Sequence, residues 1–311
     1  MLSTKQDIAN RLGIEDYESI KRFPKYFEFE TINACNARCA MCTIDEWDGS
    51  PKKVVSDFIW DKFVKNVAEH TDWIEKITLT RDGEPLLDKK LAQRISDLKR
   101  VGIRKVVMVT NAQLLNEART LELLESGLNE IMFSIDGVSK EVYEKIRKGL
   151  NFEKVVSNVE NFIQERDRSF KKTQIRVRFI EQNANKHEGR EWLDYWKSRT
   201  NEQSDSVYIM PLHSWGNQLN DEENEKVKKM ANYACISPFS SMAMHYDGRV
   251  GLCGVDFGSK FFMGDFSKQS IEEIWNDKQG FEKMREWHLS KQRNNIWLCK
   301  GCDLWDRDYK Y

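Results

Sequence analysis

The run CNARCAMC, from Cys35 to Cys42, is the most informative stretch of this 311-residue chain. It places cysteines at positions 35, 39 and 42 on one short loop. Three thiolates can hold three corners of a four-iron cluster and leave the fourth iron without a protein ligand. A zinc site is the alternative, but zinc usually takes a fourth cysteine or histidine nearby, and the nearest downstream histidine is His70, in a predicted helix. The spacing therefore favours an iron–sulfur cluster with one open iron.

Charge and hydropathy limit the class of protein. Lysine plus arginine (49) nearly balance aspartate plus glutamate (50), so no basic surface is predicted for binding nucleic acid. The polar stretch from Met1 to Gly13 lacks the apolar core of a signal peptide, and no apolar run is long enough to span a bilayer. We therefore expect a soluble, cytoplasmic protein, in which seven cysteines indicate metal ligation rather than disulfides.

Short apolar runs alternate with helical patterns, which is typical of a parallel sheet with crossover helices. The predicted strands are Tyr26–Thr31, Ile74–Thr80, Lys105–Asn111, Glu130–Asp136, Ile175–Ile180 and Val207–Pro211. The predicted helices are Ser56–His70, Lys89–Val101, Ala118–Ser126, Lys140–Arg147, Phe152–Arg166 and Arg190–Lys197. Six such strands fit a partial (β/α)6 TIM barrel of the α/β class. A charged run before Tyr233 predicts a domain boundary there. We therefore expect an N-terminal segment (1–24), the barrel (25–232) and a small α+β domain (233–311).

Alternation along the strands predicts which side chains face the barrel interior. Ser134 and Asp136 should point inward from the fourth strand, and Arg176 and Arg178 from the fifth. Buried arginines need anionic or polar partners. An ion pair with an inward acid such as Glu28 or Glu30 is one alternative, and contact with a bound cofactor or substrate is the other. Arg178 is the stronger functional candidate because it lies nearer the C-terminal end of its strand.

Five segments in order resemble the radical S-adenosylmethionine (radical SAM) enzymes. They are Glu30–Cys42, Arg81–Pro85, Thr110–Asn111, Ser134–Gly137 and Tyr143–Gly149. The resemblance implies a partial barrel that holds a [4Fe-4S] cluster on Cys35, Cys39 and Cys42, with S-adenosylmethionine (SAM) on the open iron. It also implies an electron donor such as a flavodoxin or a ferredoxin.

The resemblance also assigns SAM contacts. Gly83 and Glu84 match the segment that hydrogen-bonds the SAM ammonium, although this chain has Asp82 where the family usually has a glycine. Ser134 and Arg147 match contacts to the ribose and carboxylate side, and Arg147 is alternatively a cation at a helix C-terminus.

Two weaker SAM contacts complete the set. Asn111 ends the third strand. Met41 stands where many family members place an aromatic residue near the adenine, with simple packing as its alternative.

The remaining cysteines are Cys235, Cys253, Cys299 and Cys302. Together with a hairpin signal at Asp247-Gly248 and the segment Gly264–Trp275, their order resembles the twitch domain, the shortened SPASM domain of some radical SAM enzymes. The resemblance implies an auxiliary [4Fe-4S] cluster with four cysteine ligands. A four-cysteine zinc site is the alternative that spacing alone leaves open.

Counting cysteines bears on the reaction, because three plus four leaves no thiol to return a hydrogen atom. We therefore expect a radical SAM oxidoreductase that passes the substrate electron to the auxiliary cluster, similar to the dehydrogenases of aminocyclitols and other sugar-like alcohols. His213, with Trp215, is a candidate to bind a polyol and accept its proton, and packing between domains is the alternative.

Two other activities stay open. One is epimerisation of a sugar. The other is modification of a ribosomal peptide, which is disfavoured because only Met1–Pro24 precedes the predicted barrel and such enzymes commonly carry a peptide-recognition domain there. A small polar molecule is the expected substrate.

Overall fold

A computed structural model describes residues 4–43, 53–213, 215–216, 218, 234–300 and 302. These residues form two compact units. The first unit contains the described residues within 30–54 and 77–212, and the second contains those within 1–29, 55–76 and 213–310. The predicted boundary near Tyr233 lies outside the described residues.

The first unit is built on parallel strands in the order β10-β9-β7-β6-β5. These strands are β5 (Lys76–Thr78), β6 (Val106–Thr110), β7 (Glu130–Ser134), β9 (Gln174–Glu181) and β10 (Ser206–Pro211). The helices between them are α3 (Leu91–Arg100), α4 (Glu117–Glu125), α5 (Lys140–Ile146), α6 (Phe152–Arg168) and α7 (Gly189–Lys197). Two short antiparallel pairs join β2 (Ile32–Asn33) to β4 (Lys53–Val54) and β3 (Arg38–Cys39) to β8 (Arg147–Lys148).

The second unit combines chain segments that are far apart in sequence. Its helices are α1 (Thr4–Leu12), α2 (Asp57–Ala68), α8 (Ser237–Ser240), α9 (Ile271–Trp275) and α10 (Phe281–Leu289). Its strands are β1 (Tyr26–Phe29), β11 (Ser241–Met244), β12 (Arg249–Gly251) and β13 (Phe262–Asp265). Strand β1 pairs in parallel with β11, a contact that the sequence did not predict. Strands β11 and β12 form the predicted hairpin, in which Gly248 has a φ of 92°.

The alternating pattern of strands and helices is confirmed. All six predicted strands and six predicted helices are present, and their ends differ from the prediction by at most two residues. Local capping explains this agreement, because Ser56, Asn116, Ser139 and Asn151 each accept a backbone N–H in the first turn of a helix. The parallel sheet with crossover helices confirms the predicted α/β class.

The predicted side-chain directions in the fourth and fifth barrel strands are also observed. Phe133 packs edge-on against Phe162 of α6, with ring centroids 5.5 Å apart. Phe179 packs against Trp192 of α7 at 5.2 Å. The residues that follow and precede them, including Ser134 and Arg178, therefore lie on the opposite face of the sheet. No helix in the described part of the chain is long and apolar enough to cross a membrane.

Candidate functional site

The loop from Cys35 to Cys42 brings its three thiols together. Cys39 belongs to β3, and the Cys42 N–H donates to the Cys39 carbonyl at 3.0 Å. The Ala37 N–H donates to Cys35 Sγ at 3.4 Å. Burial, with contributions from Glu84 and the other two thiols, raises the pKa of Cys35 to about 12. Converging thiolates in such a place need a nearby cation, and three soft donors on one loop suit an iron–sulfur cluster.

Gly83 lies against Ile32 and Ala34, in the segment that leads into this loop. A Cβ at that position would lie 2.1 Å from the Ile32 carbonyl oxygen and 2.8 Å from the Ala34 carbonyl oxygen. The neighbouring Glu84 N–H donates to the Ala34 carbonyl at 2.8 Å. The close approach therefore requires glycine at 83, while the preceding Asp82 is accommodated as a buried ion pair with Arg81 at 2.7 Å.

Glu84 is buried, and its carboxylate accepts three hydrogen bonds from the protein. The donors are the Leu86 N–H at 3.1 Å, the Thr110 hydroxyl at 2.7 Å and the Asn111 N–H at 2.8 Å. Burial raises the pKa of this carboxyl group. In this arrangement Glu84 ties the loop after β5 to the end of β6. Its contact with the SAM ammonium stays a prediction.

Asn111 links the same strand end to the cysteine loop. Its Nδ2 donates to Asn36 Oδ1 at 2.9 Å and lies 4.0 Å from Cys35 Sγ. Its backbone is held by Glu84. The structure therefore brings the predicted Gly83, Glu84 and Asn111 together beside the three cysteines.

Arg147 is the C-cap residue of α5, and its main described contact is a buried ion pair rather than the helix end. Its guanidinium lies 2.6 Å from Asp136, and Nη1 lies 3.5 Å from Cys39 Sγ. Asp136 also accepts the Ile180 N–H at 2.7 Å. The sequence placed Asp136 inside the barrel but did not predict this pair. The contact of Arg147 with SAM stays a prediction.

The inward arginines of β9 have different partners. Arg176 pairs with Glu130 at 3.3 Å, an ion pair of the kind that the sequence offered as one alternative. Arg178 donates from Nη2 to the Ser134 hydroxyl at 2.9 Å, and no group in the described part of the chain accepts from its buried Nε. Burial lowers the pKa of Arg178. The two arginines thus share a strand face, but only Arg176 has a carboxylate partner among the described residues.

The contacts of Met41, His213 and Trp215 indicate less about their roles. Met41 is buried, with 4% of its surface exposed. His213 and Trp215 contact each other in the second unit, with ring centroids 4.7 Å apart and the Trp215 N–H donating to His213 Nδ1 at 3.2 Å. The role of His213 as a proton acceptor and its packing alternative both stay predictions.

The second set of cysteines surrounds one cavity. Cys235, Cys253, Cys299 and Cys302 all line this cavity, which lies in the second unit. Burial and the mutual proximity of the four thiols raise the pKa values of Cys253 and Cys299 well above the ordinary range. Four soft donors around one enclosed space suit a fully ligated iron–sulfur cluster.

Two residues that contact the second set of cysteines were not predicted from the sequence. His288 accepts the Cys235 N–H on Nδ1 at 3.1 Å, and burial, helped by Arg293, lowers its pKa to about 3. Arg293 is 2% exposed, lines the cavity and donates to the Cys302 carbonyl. Neither residue stands in a recognisable motif, so their proximity to the cysteines emerges only on folding.

Two protein-family models match separate parts of the chain. Residues 29–175 match the radical SAM superfamily, and residues 235–303 match SPASM, an iron–sulfur cluster-binding domain. The chain belongs to the radical SAM superfamily. Its cofactors are [4Fe-4S] clusters and SAM, as predicted. Cys35, Cys39 and Cys42 are the residues that would hold the first cluster, and Cys235, Cys253, Cys299 and Cys302 the second.

Curated relatives match part of the chain. A GTP 3′,8-cyclase of Peptoclostridium acidaminophilum is 30% identical over 137 residues, which is 43% of this chain and 41% of that protein. A probable GTP 3′,8-cyclase of Saccharolobus islandicus is 25% identical over 202 residues, covering 65% of this chain and 61% of that protein. The radical SAM chain thus spans about half the length of these relatives.

Solved structures resemble the fold over most of the chain. BtrN, in complex with AdoMet and 2-DOIA, has a TM-score of 0.61 at 18% identity, covering 90% of this chain and 92% of BtrN. Streptococcus suis SuiB, bound to precursor peptide SuiA, has a TM-score of 0.69 at 12% identity, covering 92% of this chain and 74% of SuiB. The enzyme anSMEcpe, with AdoMet and the Cp18Cys peptide, has a TM-score of 0.62 at 15% identity, with coverages of 89% and 88%. At these identities the likeness concerns the fold.

Proposed function

We propose that this radical SAM enzyme is an oxidoreductase acting on a small polar alcohol, such as a sugar or a cyclitol. The observation that carries the proposal is the cavity lined by four cysteines. When bound, SAM and the two clusters supply removal of one hydrogen atom from carbon and acceptance of one electron. Loss of the hydroxyl proton then completes the conversion of the alcohol to a ketone.

The distribution of thiols favours oxidation over epimerisation. The chain has seven cysteines, of which three converge on the first loop and four line the cavity. All seven are therefore accounted for as ligands. A thiol that returns a hydrogen atom to the opposite face of a sugar would have to come from one of these sets. Four protein thiols also fill the positions of the auxiliary cluster, so that cluster is proposed to accept an electron rather than bind substrate.

The residues of the first unit are proposed to build the SAM site. Glu84 fixes the loop after β5 to the end of β6, and Asn111 connects that end to the cysteine loop. Arg147 is oriented by Asp136, which leaves its fork beside Cys39. These contacts keep the polar groups around the cysteine loop in place before ligand enters. His213 is proposed to take the hydroxyl proton, and a flavodoxin or a ferredoxin to reduce the first cluster.

The experiment is an anaerobic assay with two cysteine variants. The reconstituted wild type should contain about eight irons and release 5′-deoxyadenosine from SAM when dithionite is added. A panel of C-deuterated sugars and cyclitols, with GTP and a peptide as comparison substrates, then identifies which compound passes deuterium into 5′-deoxyadenosine. Cys39→Ser should abolish SAM cleavage. Cys299→Ser should keep SAM cleavage and lose ketone formation.

Three results would contradict the proposal. Ketone formation that survives Cys299→Ser would exclude the auxiliary cluster as electron acceptor. Deuterium transfer from GTP with a cyclic nucleotide as product would assign the activity that the curated relatives are named for. Transfer from the peptide alone would assign peptide modification.

A further inference from the structure

Arg178 has an unusual electrostatic position among the arginines of the first unit. Every other arginine in its described part that is not largely exposed forms an ion pair with a carboxylate. These pairs are Arg81–Asp82, Arg94–Asp88, Arg119–Glu122, Arg147–Asp136, Arg166–Asp205 and Arg176–Glu130. Arg178 instead donates to one neutral hydroxyl, that of Ser134, and its buried Nε has no acceptor among the described residues.

In the part of the chain that the structure describes, no carboxylate forms an ion pair with Arg178. The charged groups near it include Arg147, Arg176 and Asp136. Asp136 is already held by Arg147 at 2.6 Å and by a backbone N–H, and Glu130 is held by Arg176. Arg147 and Arg176 thus each have a carboxylate partner, whereas Arg178 has none among the described residues. Removing a guanidinium from water without a counter-ion is unfavourable, so a site with this charge balance suits an incoming anion.

The position of Arg178 also suits ligand binding. It lies in the C-terminal half of β9, and its partner Ser134 is the last residue of β7. Ligands bind at the C-terminal ends of strands in such folds. Arg178 is partly exposed, and its described contact uses only Nη2. A planar guanidinium can then offer further N–H groups to a carboxylate or a phosphate.

We infer that Arg178 binds an anionic group, a carboxylate or a phosphate, of a ligand that enters the first unit. The inference rests on the proposed function, and it narrows the substrate toward sugar acids or phosphorylated polyols if SAM does not supply the anion. SAM carries a carboxylate of its own, so the anion bound by Arg178 can belong either to SAM or to the substrate. The test distinguishes them.

The test compares Arg178→Gln with Arg176→Gln in the reconstituted protein under anaerobic conditions. The second variant removes the same charge two residues earlier, where Glu130 keeps Lys105 as a partner at 2.5 Å. Equilibrium binding is measured for SAM, for decarboxylated SAM, and for inorganic phosphate added to SAM-loaded protein. Loss of a charge-assisted contact should weaken the relevant ligand about tenfold or more.

Each outcome either identifies the molecule that supplies the anion, SAM or substrate, or contradicts the inference. Weaker SAM binding by Arg178→Gln alone, with decarboxylated SAM unaffected, assigns Arg178 to the SAM carboxylate. Unchanged SAM binding with at least tenfold weaker phosphate binding assigns it to the substrate, and Arg178→Lys should restore part of that affinity. If Arg178→Gln binds all three ligands as Arg176→Gln does, the inference is wrong. That result would leave the Cys299→Ser test of oxidation unaffected.

Thermal unfolding without ligand gives an independent measurement. Because Arg178 carries an uncompensated charge, Arg178→Gln should unfold at or above the wild-type midpoint temperature. Arg176→Gln should unfold below it, because it breaks an ion pair. A lower midpoint for Arg178→Gln than for Arg176→Gln would show that Arg178 is structural and would overturn the inference.

Discussion

Replacing Gly83 with alanine should remove the first cluster while leaving the second in place. The added Cβ would lie 2.1 Å from the Ile32 carbonyl oxygen and 2.8 Å from that of Ala34, where ordinary contacts begin at 3.4 Å. Both carbonyl oxygens are main-chain atoms of the segment that leads into the cysteine loop. To remove the clash, the backbone must therefore move by more than 1 Å. Overpacking of this kind costs about 1–3 kcal/mol when side chains can adjust, and more when the backbone must move.

The measurable result is the iron content. We expect reconstituted Gly83→Ala to fall from about eight irons per chain to about four, and to lose SAM cleavage. The four cysteines of the cavity lie in the other unit, so their cluster should be retained and remain visible by electron paramagnetic resonance.

Gly189→Ala is the matched control. Its Cβ would meet only the end of the Ile209 side chain, at 3.0 Å, which can rotate away. That variant should keep about eight irons and full 5′-deoxyadenosine release. If Gly83→Ala does the same, the close approach at Gly83 does not position the cysteine loop, and the reasoning fails.

Two further predictions concern buried charges. Asp136→Asn leaves the Arg147 guanidinium buried without its anion, so the variant should lose about 3–5 kcal/mol of stability, while Asp97→Asn, which breaks the exposed Arg100 pair, should lose less than about 1 kcal/mol. Comparison of their thermal midpoints checks this, and equal midpoints would contradict it. Arg293→Gln removes a buried positive charge from the cavity of the four cysteines, so the reduction potential of the auxiliary cluster should fall. A redox titration followed by electron paramagnetic resonance measures it, and an unchanged or raised potential would refute the role of that charge.

Local sequence was sufficient to predict the elements of the barrel. Strand and helix boundaries follow from hydrophobic alternation and from capping residues such as Ser139, both of which act within a few residues. The cysteine loop was equally predictable, because its three cysteines lie close together in the sequence. Their spacing is typical of a loop that binds an iron–sulfur cluster. The segments around Gly83, Ser134 and Arg147, which resemble the radical SAM family, could be recognised for the same reason.

Only the tertiary structure decided which charged and polar groups meet. The pairing of β1 with β11 joins residues about 215 positions apart, and nothing local in either strand encodes it. Arg176 and Arg178 look alike in sequence, yet Glu130 neutralises one and no described carboxylate neutralises the other. The sequence by itself determined the candidate cysteine ligands and the order of the elements, because those depend on neighbours along the chain. Folding decided the charge balance around Arg178 and the position of Arg293 at the second cavity, because both depend on which distant side chains are brought together away from water.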